Sequence, residues 1–102
     1  LFGSFFKENM EKLFVEKAFI GAKGITEDYV TDVDVIEAEV NAILLSRSKT
    51  RIVLVDSSKI GYYAFATITD TTNINILITD EWANPEELEK IARKGVQIII
   101  AR

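Results

Sequence analysis

The sequence predicts an α/β domain: a parallel sheet in a Rossmann-like sandwich with helices on both faces. Three observations point there. Four short apolar runs are separated by helical or long polar stretches, as right-handed parallel crossovers require. The run at residues 52–55 (IVLV) is continuous rather than alternating, which suits a strand covered on both sides. Three of the four runs end in polar loops, carrying Lys23, residues 56–59 and residues 79–81, and a parallel sheet gathers such ends on one edge.

The elements follow in order. Residues 1–14 place Phe2, Phe6, Met10, Leu13 and Phe14 at helical spacing, with Ser4 available as a cap. This Phe-rich helix is expected to dock on the sheet; an oligomer contact or a preceding domain is the alternative. KAFIG (residues 17–21) reads as a strand running into Gly21-Ala22-Lys23-Gly24, and the two glycines permit close approach of backbone N–H groups to a ligand. Residues 26–34 read as a loop. Asp34 followed by Glu37 resembles a capping box opening a helix with Ile36, Val40, Ile43 and Leu44 on one face, ending near residues 47–48. Residues 62–68 fit a short strand or a helical turn, and 70–73 (DTTN) are turn chemistry. NILIT (75–79) is the next strand. The last helix is the best marked: Asn84 at the cap, Pro85 at the first position, Glu86 and Glu87 in the first turn, Gly95 past the end. VQIII (96–100) closes the sheet.

Composition narrows the function. One domain spanning residues 1–102, 48 % hydrophobic, can bury a real core. Twelve Lys and Arg against sixteen Asp and Glu give a net charge of −4 with no basic run, so these residues offer no footprint for nucleic acid or an anionic membrane. Without Cys or His, disulfides, thiol nucleophiles, zinc sites of the usual ligands and His-based acid/base chemistry are all excluded. No metal or other cofactor is expected. The apolar runs are too short to span a bilayer, and a cytoplasmic location fits. The chain opens on Leu1 rather than Met and is read as a piece of a longer one.

The chemistry concentrates in residues 51–61 (RIVLVDSSKIG). There a buried strand delivers Asp56, Ser57, Ser58 and Lys59 to the sheet edge, where open α/β sheets bind ligands. Two hydroxyls, a carboxylate and an ammonium suit a small anionic molecule. The alternative is that they only terminate the strand. Glu37 has two compatible roles, as a helix-capping carboxylate or as a group facing the crevice.

The ordered set KAFIGAKGI, a loop bearing Thr31, Glu37-Ala38 opening a helix, VLVDSSKIG and NILITD resembles the C-terminal sensor domain of DeoR-family transcriptional regulators, over residues 14–101. The resemblance implies a fold similar to ribose-5-phosphate isomerase and a role in sensing a phosphorylated sugar or related metabolite. The signal would pass to a winged-helix DNA-binding domain absent from these residues, in a homo-oligomer. The effector-binding positions implied are Gly21, Lys23, Gly24, Thr31, Glu37, Asp56, Ser57, Ser58, Lys59 and Asp80. Lys59, the two serine hydroxyls and N–H groups near residues 21–24 would grip phosphate, while Glu37 and Asp80 would bind sugar hydroxyls. Two departures stand out. The family carries Lys four residues after the Glu where this chain has Asn41, and Gly before the loop threonine pair where this chain has residues 29–32 (YVTD). Family sensor domains also contain an earlier strand and phosphate loop, so part of the site is expected outside these residues.

Three other classes compete. An aldose–ketose isomerase of similar fold needs a tuned carboxylate base beside an electrophile, and the sequence offers Asp56, Glu37 or Asp80 without such a constellation. A phosphoacceptor receiver needs an acidic pair after the first strand to hold Mg²⁺, and Lys23 occupies that neighbourhood. A ligand-free interaction or oligomerisation domain would use the Phe-rich start and Trp82 as anchors. The chain is therefore expected to be a binding module without catalytic residues.

Overall fold

The structure, a computed structural model, describes residues 12–102. In chain order these form β1 (Val15–Ile20), β2 (Gly24–Ile25), β3 (Tyr29–Asp32), α1 (Val35–Ser46), β4 (Ser48–Leu54), β5 (Ala66–Asp70), β6 (Ile76–Asp80), α2 (Pro85–Ala92) and β7 (Gln97–Ala101). Tight 3-10 turns occupy Ser57–Lys59 and Thr71–Asn73. The helix expected over residues 1–14 falls, apart from its last three residues, outside the described part, and so does its docking.

The four expected strands form one sheet in the order β1-β4-β6-β7, every pair parallel. Register lines up Ile20, Val53, Leu77 and Ile98 across it. The first three are buried, Ile98 is partly buried, and the row packs into one core with Ala38 and Leu45 of α1 and Ile91 of α2. Each fully buried aliphatic side chain of this kind contributes about 1.5–3 kcal/mol. The α/β class and the parallel sheet are thus as expected.

A second, antiparallel sheet in the order β2-β3-β5 is not. It corrects the loop expected over residues 26–34, which contains β3 paired with both neighbours. Ile25 and Val30 stand opposite each other in this small sheet, and both are wholly buried. The uncertain stretch 62–68 divides: the chain turns through residues 62–65, and β5 begins at Ala66.

Helix ends follow local chemistry. The Asp34 side chain accepts from Ile36 N at 2.8 Å and Glu37 N at 3.3 Å, and Asn84 does the same for Glu86 N and Glu87 N. Past α2, Gly95 takes φ +96°, the left-handed conformation that closes a helix. The reciprocal half of the expected capping box is absent. Asp34 N donates to Asp32 Oδ1 at 3.0 Å, which leaves the Glu37 carboxyl unneeded at the cap. Helix α1 ends at Ser46, and Arg47 alone separates it from β4, so the central strand starts at Ser48, four residues before its apolar run. Among the described residues no helix is long and apolar enough to cross a membrane.

Candidate functional site

The parallel sheet places the ends of β1, β4 and β6 side by side. Gly21 follows β1, and a Cβ built on it would lie 3.9 Å from the Leu54 carbonyl oxygen at the end of β4. On the β1 side, Gly21, Ala22 and Lys23 face Glu37 and Asn41 of α1 and Asp32 at the end of β3 across a cleft of about 280 Å³. Glu37 and Asn41 are four residues apart and therefore share a helix face. Three positions singled out in the sequence, Gly21, Lys23 and Glu37, thus meet in one cleft.

The other half of the edge is a hydrogen-bonded turn. Asp56 Oδ1 accepts from Ser58 N at 2.9 Å and also from Ser58 Oγ, and Lys59 Nζ lies 3.1 Å from both Asp56 Oδ2 and Ser58 Oγ. Ser57 N donates to Asp80 Oδ2 at 2.8 Å, and Trp82 N donates to Asp80 Oδ1 at 2.9 Å. These donors favour the ionised acids. The Ser58 hydroxyl, then the Lys59 ammonium and the Ser58 N–H, lower Asp56 to about 2. The Ser57 N–H lowers Asp80 below the usual carboxylate range; burial opposes it, and the Trp82 N–H adds to the lowering.

Two predicted positions lie behind the edge. Thr31 is wholly buried; its hydroxyl donates to the Gly24 carbonyl at 3.2 Å and accepts from Ala64 N at 2.9 Å. Gly24 is buried against the 62–65 turn, where a Cβ would fall 2.2 Å from the Tyr62 carbonyl oxygen. Both fasten the small sheet to the segment at residues 62–64. The N–H of Lys23, one of the donors expected to cradle a phosphate, instead bonds the Thr31 carbonyl at 2.9 Å.

Asp32 was passed over in the sequence. Only 3 % of it is exposed, yet it lines the cleft, with Oδ1 bonded to Asp34 N and no protein donor on Oδ2 among the described residues. The D-x-D spacing ahead of α1 was its one visible signal, since an Asp two residues before a cap can bond the cap's N–H. A larger cleft of about 340 Å³ lies between the second half of α1, Arg51 of β4, Thr69 of β5 and Asn73. Its cation, Arg51, is already engaged with the Ser48 and Asn73 carbonyls, so the smaller cleft holds the freer chemistry. No group of three or more potential metal ligands occurs among the described residues.

Comparison with known proteins gives a consistent picture. The chain is 33 % identical over 93 residues to the HTH-type transcriptional regulator GolR of Listeria innocua, covering 90 % of this chain and 37 % of that protein. It is 31 % identical over 100 residues to the HTH-type transcriptional repressor GlcR of Bacillus subtilis, covering 98 % of this chain and 39 % of that protein. It is 37 % identical over 81 residues to the HTH-type transcriptional regulator UlaR of Shigella dysenteriae, covering 79 % and 32 % respectively. The chain therefore spans about a third to two fifths of the length of these relatives. Residues 1–81 match the family described as the DeoR C terminal sensor domain, and the chain belongs to that family.

Proposed function

We propose that this chain is the effector-sensing part of a transcriptional regulator, and that its effector is a phosphorylated sugar or a related metabolite. One observation carries the reading. In a member of a sensor-domain family, Gly21, Lys23 and Glu37 line one cleft, and the 56–59 turn leaves the same edge of the parallel sheet. The phosphate would sit at Lys59 with the Ser57 and Ser58 hydroxyls, where each charge-assisted bond contributes about 1.5–3 kcal/mol. The sugar would extend towards Glu37. In this reading the whole sensor has the fold of ribose-5-phosphate isomerase with helices on both faces of the sheet. DNA is bound by a separate winged-helix domain, and the working form is a homo-oligomer. A ligand acts on such an assembly through different affinity for two arrangements of the DNA-binding domains.

A thermal-shift panel of sugar phosphates, free sugars and inorganic phosphate tests this, run on the protein and on Lys59→Ala. Ligand at about 100 times its dissociation constant adds about 2.7 kcal/mol, a shift on the order of 10 °C or more for a domain of this size. A selective shift lost in the variant is expected. Absence of any shift across the panel would favour a site completed by residues outside this chain or a pure interaction domain, and the same panel on the full-length protein separates the two.

A further inference from the structure

We infer that the cleft between the second half of α1, Arg51, Thr69 and Asn73 binds a small organic anion, a carboxylate or phosphate carried on a short apolar body. This site is separate from the carboxyl edge of the parallel sheet and does not depend on the effector reading above.

Arg51 carries the argument. It is partly buried on β4, and two carbonyl oxygens fix its guanidinium: Nε donates to Asn73 O, and Nη1 donates to Ser48 O at 3.1 Å. Two of the five N–H donors of an arginine are thereby used, and both go to neutral acceptors. No ion pair joins Arg51 to a carboxylate among the described residues. A guanidinium held rigid and partly out of water, yet not neutralised, is matched by an oxyanion that its remaining donors meet as a fork.

The surroundings suit such a ligand. The cleft measures about 340 Å³, room for a small metabolite. Thr69 lines it and already accepts from Asn73 Nδ2 at 3.0 Å, so its own hydroxyl hydrogen is available to donate. Ala42 and Leu45 of α1 supply an apolar side. Ser46, also on the lining, spends its hydroxyl hydrogen on Ile43 O at 2.6 Å. None of the lining residues is acidic, so nothing there repels an anion by charge. Asp56, where the loop bearing Lys59 begins, is five residues beyond Arg51, about 16 Å of extended chain, so the two places do not share one phosphate.

The test is a ligand-detected NMR titration of the full-length protein with acetate, butyrate and inorganic phosphate, followed in proton and phosphorus spectra. Lys59→Ala removes the turn after β4 as a rival holder of anions, and binding is expected to persist in it. Arg51→Gln keeps a side-chain donor but loses the charge, and is expected to weaken the bound anion about ten-fold or more. Butyrate is expected to bind tighter than acetate through Ala42 and Leu45. Phosphate bound above both carboxylates assigns a phosphate ligand, and the reverse order a carboxylate. If Arg51→Gln does not fold, Thr69→Val decides: it keeps a β-branched residue in β5, removes the hydroxyl, and is expected to weaken binding about two- to ten-fold. Anions that bind the parent and these cleft variants alike, that no longer bind Lys59→Ala, or that do not bind the parent at all overturn the site. Arg51 then only ties β4 to the 71–73 turn.

Discussion

Ser57 N donates to Asp80 Oδ2 at 2.8 Å, and this bond ties the loop leaving β4 to the last residue of β6. Two adjacent parallel strands thus share one acid at their carboxyl ends. With the Trp82 N–H on its other oxygen, Asp80 is fully engaged in shaping the edge. Its expected role of binding sugar hydroxyls would have to compete with two backbone donors. The cleft on the β1 side has no such competition, because the Glu37 carboxyl is not needed at the cap of α1.

Acid should loosen this edge within a defined window. Asp56 is lowered from 3.8 to about 2, and Asp80 is lowered too, so both are depressed in the folded state. A depressed carboxyl contributes stability that is fully present above its unfolded value and is lost as pH falls through the folded one. The contribution from Asp56 is therefore constant above pH 3.8 and disappears towards pH 2. The chain has no His to add a slope near neutrality. Thermal midpoints followed from pH 7 to pH 2 should fall more steeply below pH 4 in the parent protein than in Asp56→Asn. Identical profiles would show that these bonds do not persist in solution.

The two glycines of the GAKG stretch should respond oppositely to substitution. At Gly24 a Cβ would lie 2.2 Å from the Tyr62 carbonyl oxygen and 2.8 Å from Thr31 Oγ1, so backbone must move. Gly24→Ala is expected to destabilise by about 1–3 kcal/mol or more. At Gly21 the nearest atom is 3.9 Å away, an ordinary contact, and φ is not positive there. Gly21→Ala should unfold within about 0.5 kcal/mol of the parent in urea. A Gly24→Ala variant as stable as the parent would mean that β2 does not pack against the 62–65 turn.

This contrast also marks what was legible in the sequence. The parallel strands were readable because their apolar runs are continuous, and α2 because Asn84, Pro85 and Gly95 act within a turn of its ends. The small sheet was not. β2 has two residues, and β3 buries Thr31 and Asp32 beside Val30, which destroys the alternation that signals a strand. Those polar groups are buried only because Gly24, Ala64 and Asp34 hydrogen-bond them, and the Ala64 partner is 33 residues away. Sequence spacing carries no trace of such a partner. The same blindness concealed Asp32 and made Thr31, held inside by those bonds, look like a loop residue.

The Lys59–Asp56 pair yields the sharpest functional prediction. Lys59 Nζ sits 3.1 Å from Asp56 Oδ2, so an incoming phosphate must draw the ammonium away from a carboxylate that already holds it. Asp56→Asn removes that competitor yet keeps an oxygen to cap the Ser57–Lys59 turn through Ser58 N. An exposed pair of this kind is worth about 0.2–1 kcal/mol, so its removal should tighten a phosphate-bearing ligand by up to about five-fold, with the gain shrinking as salt is raised. Lys59→Ala should do the reverse in the same titration. Equal affinities across the parent and both variants would limit Lys59 to closing the turn, and the phosphate would then have to be held by other groups.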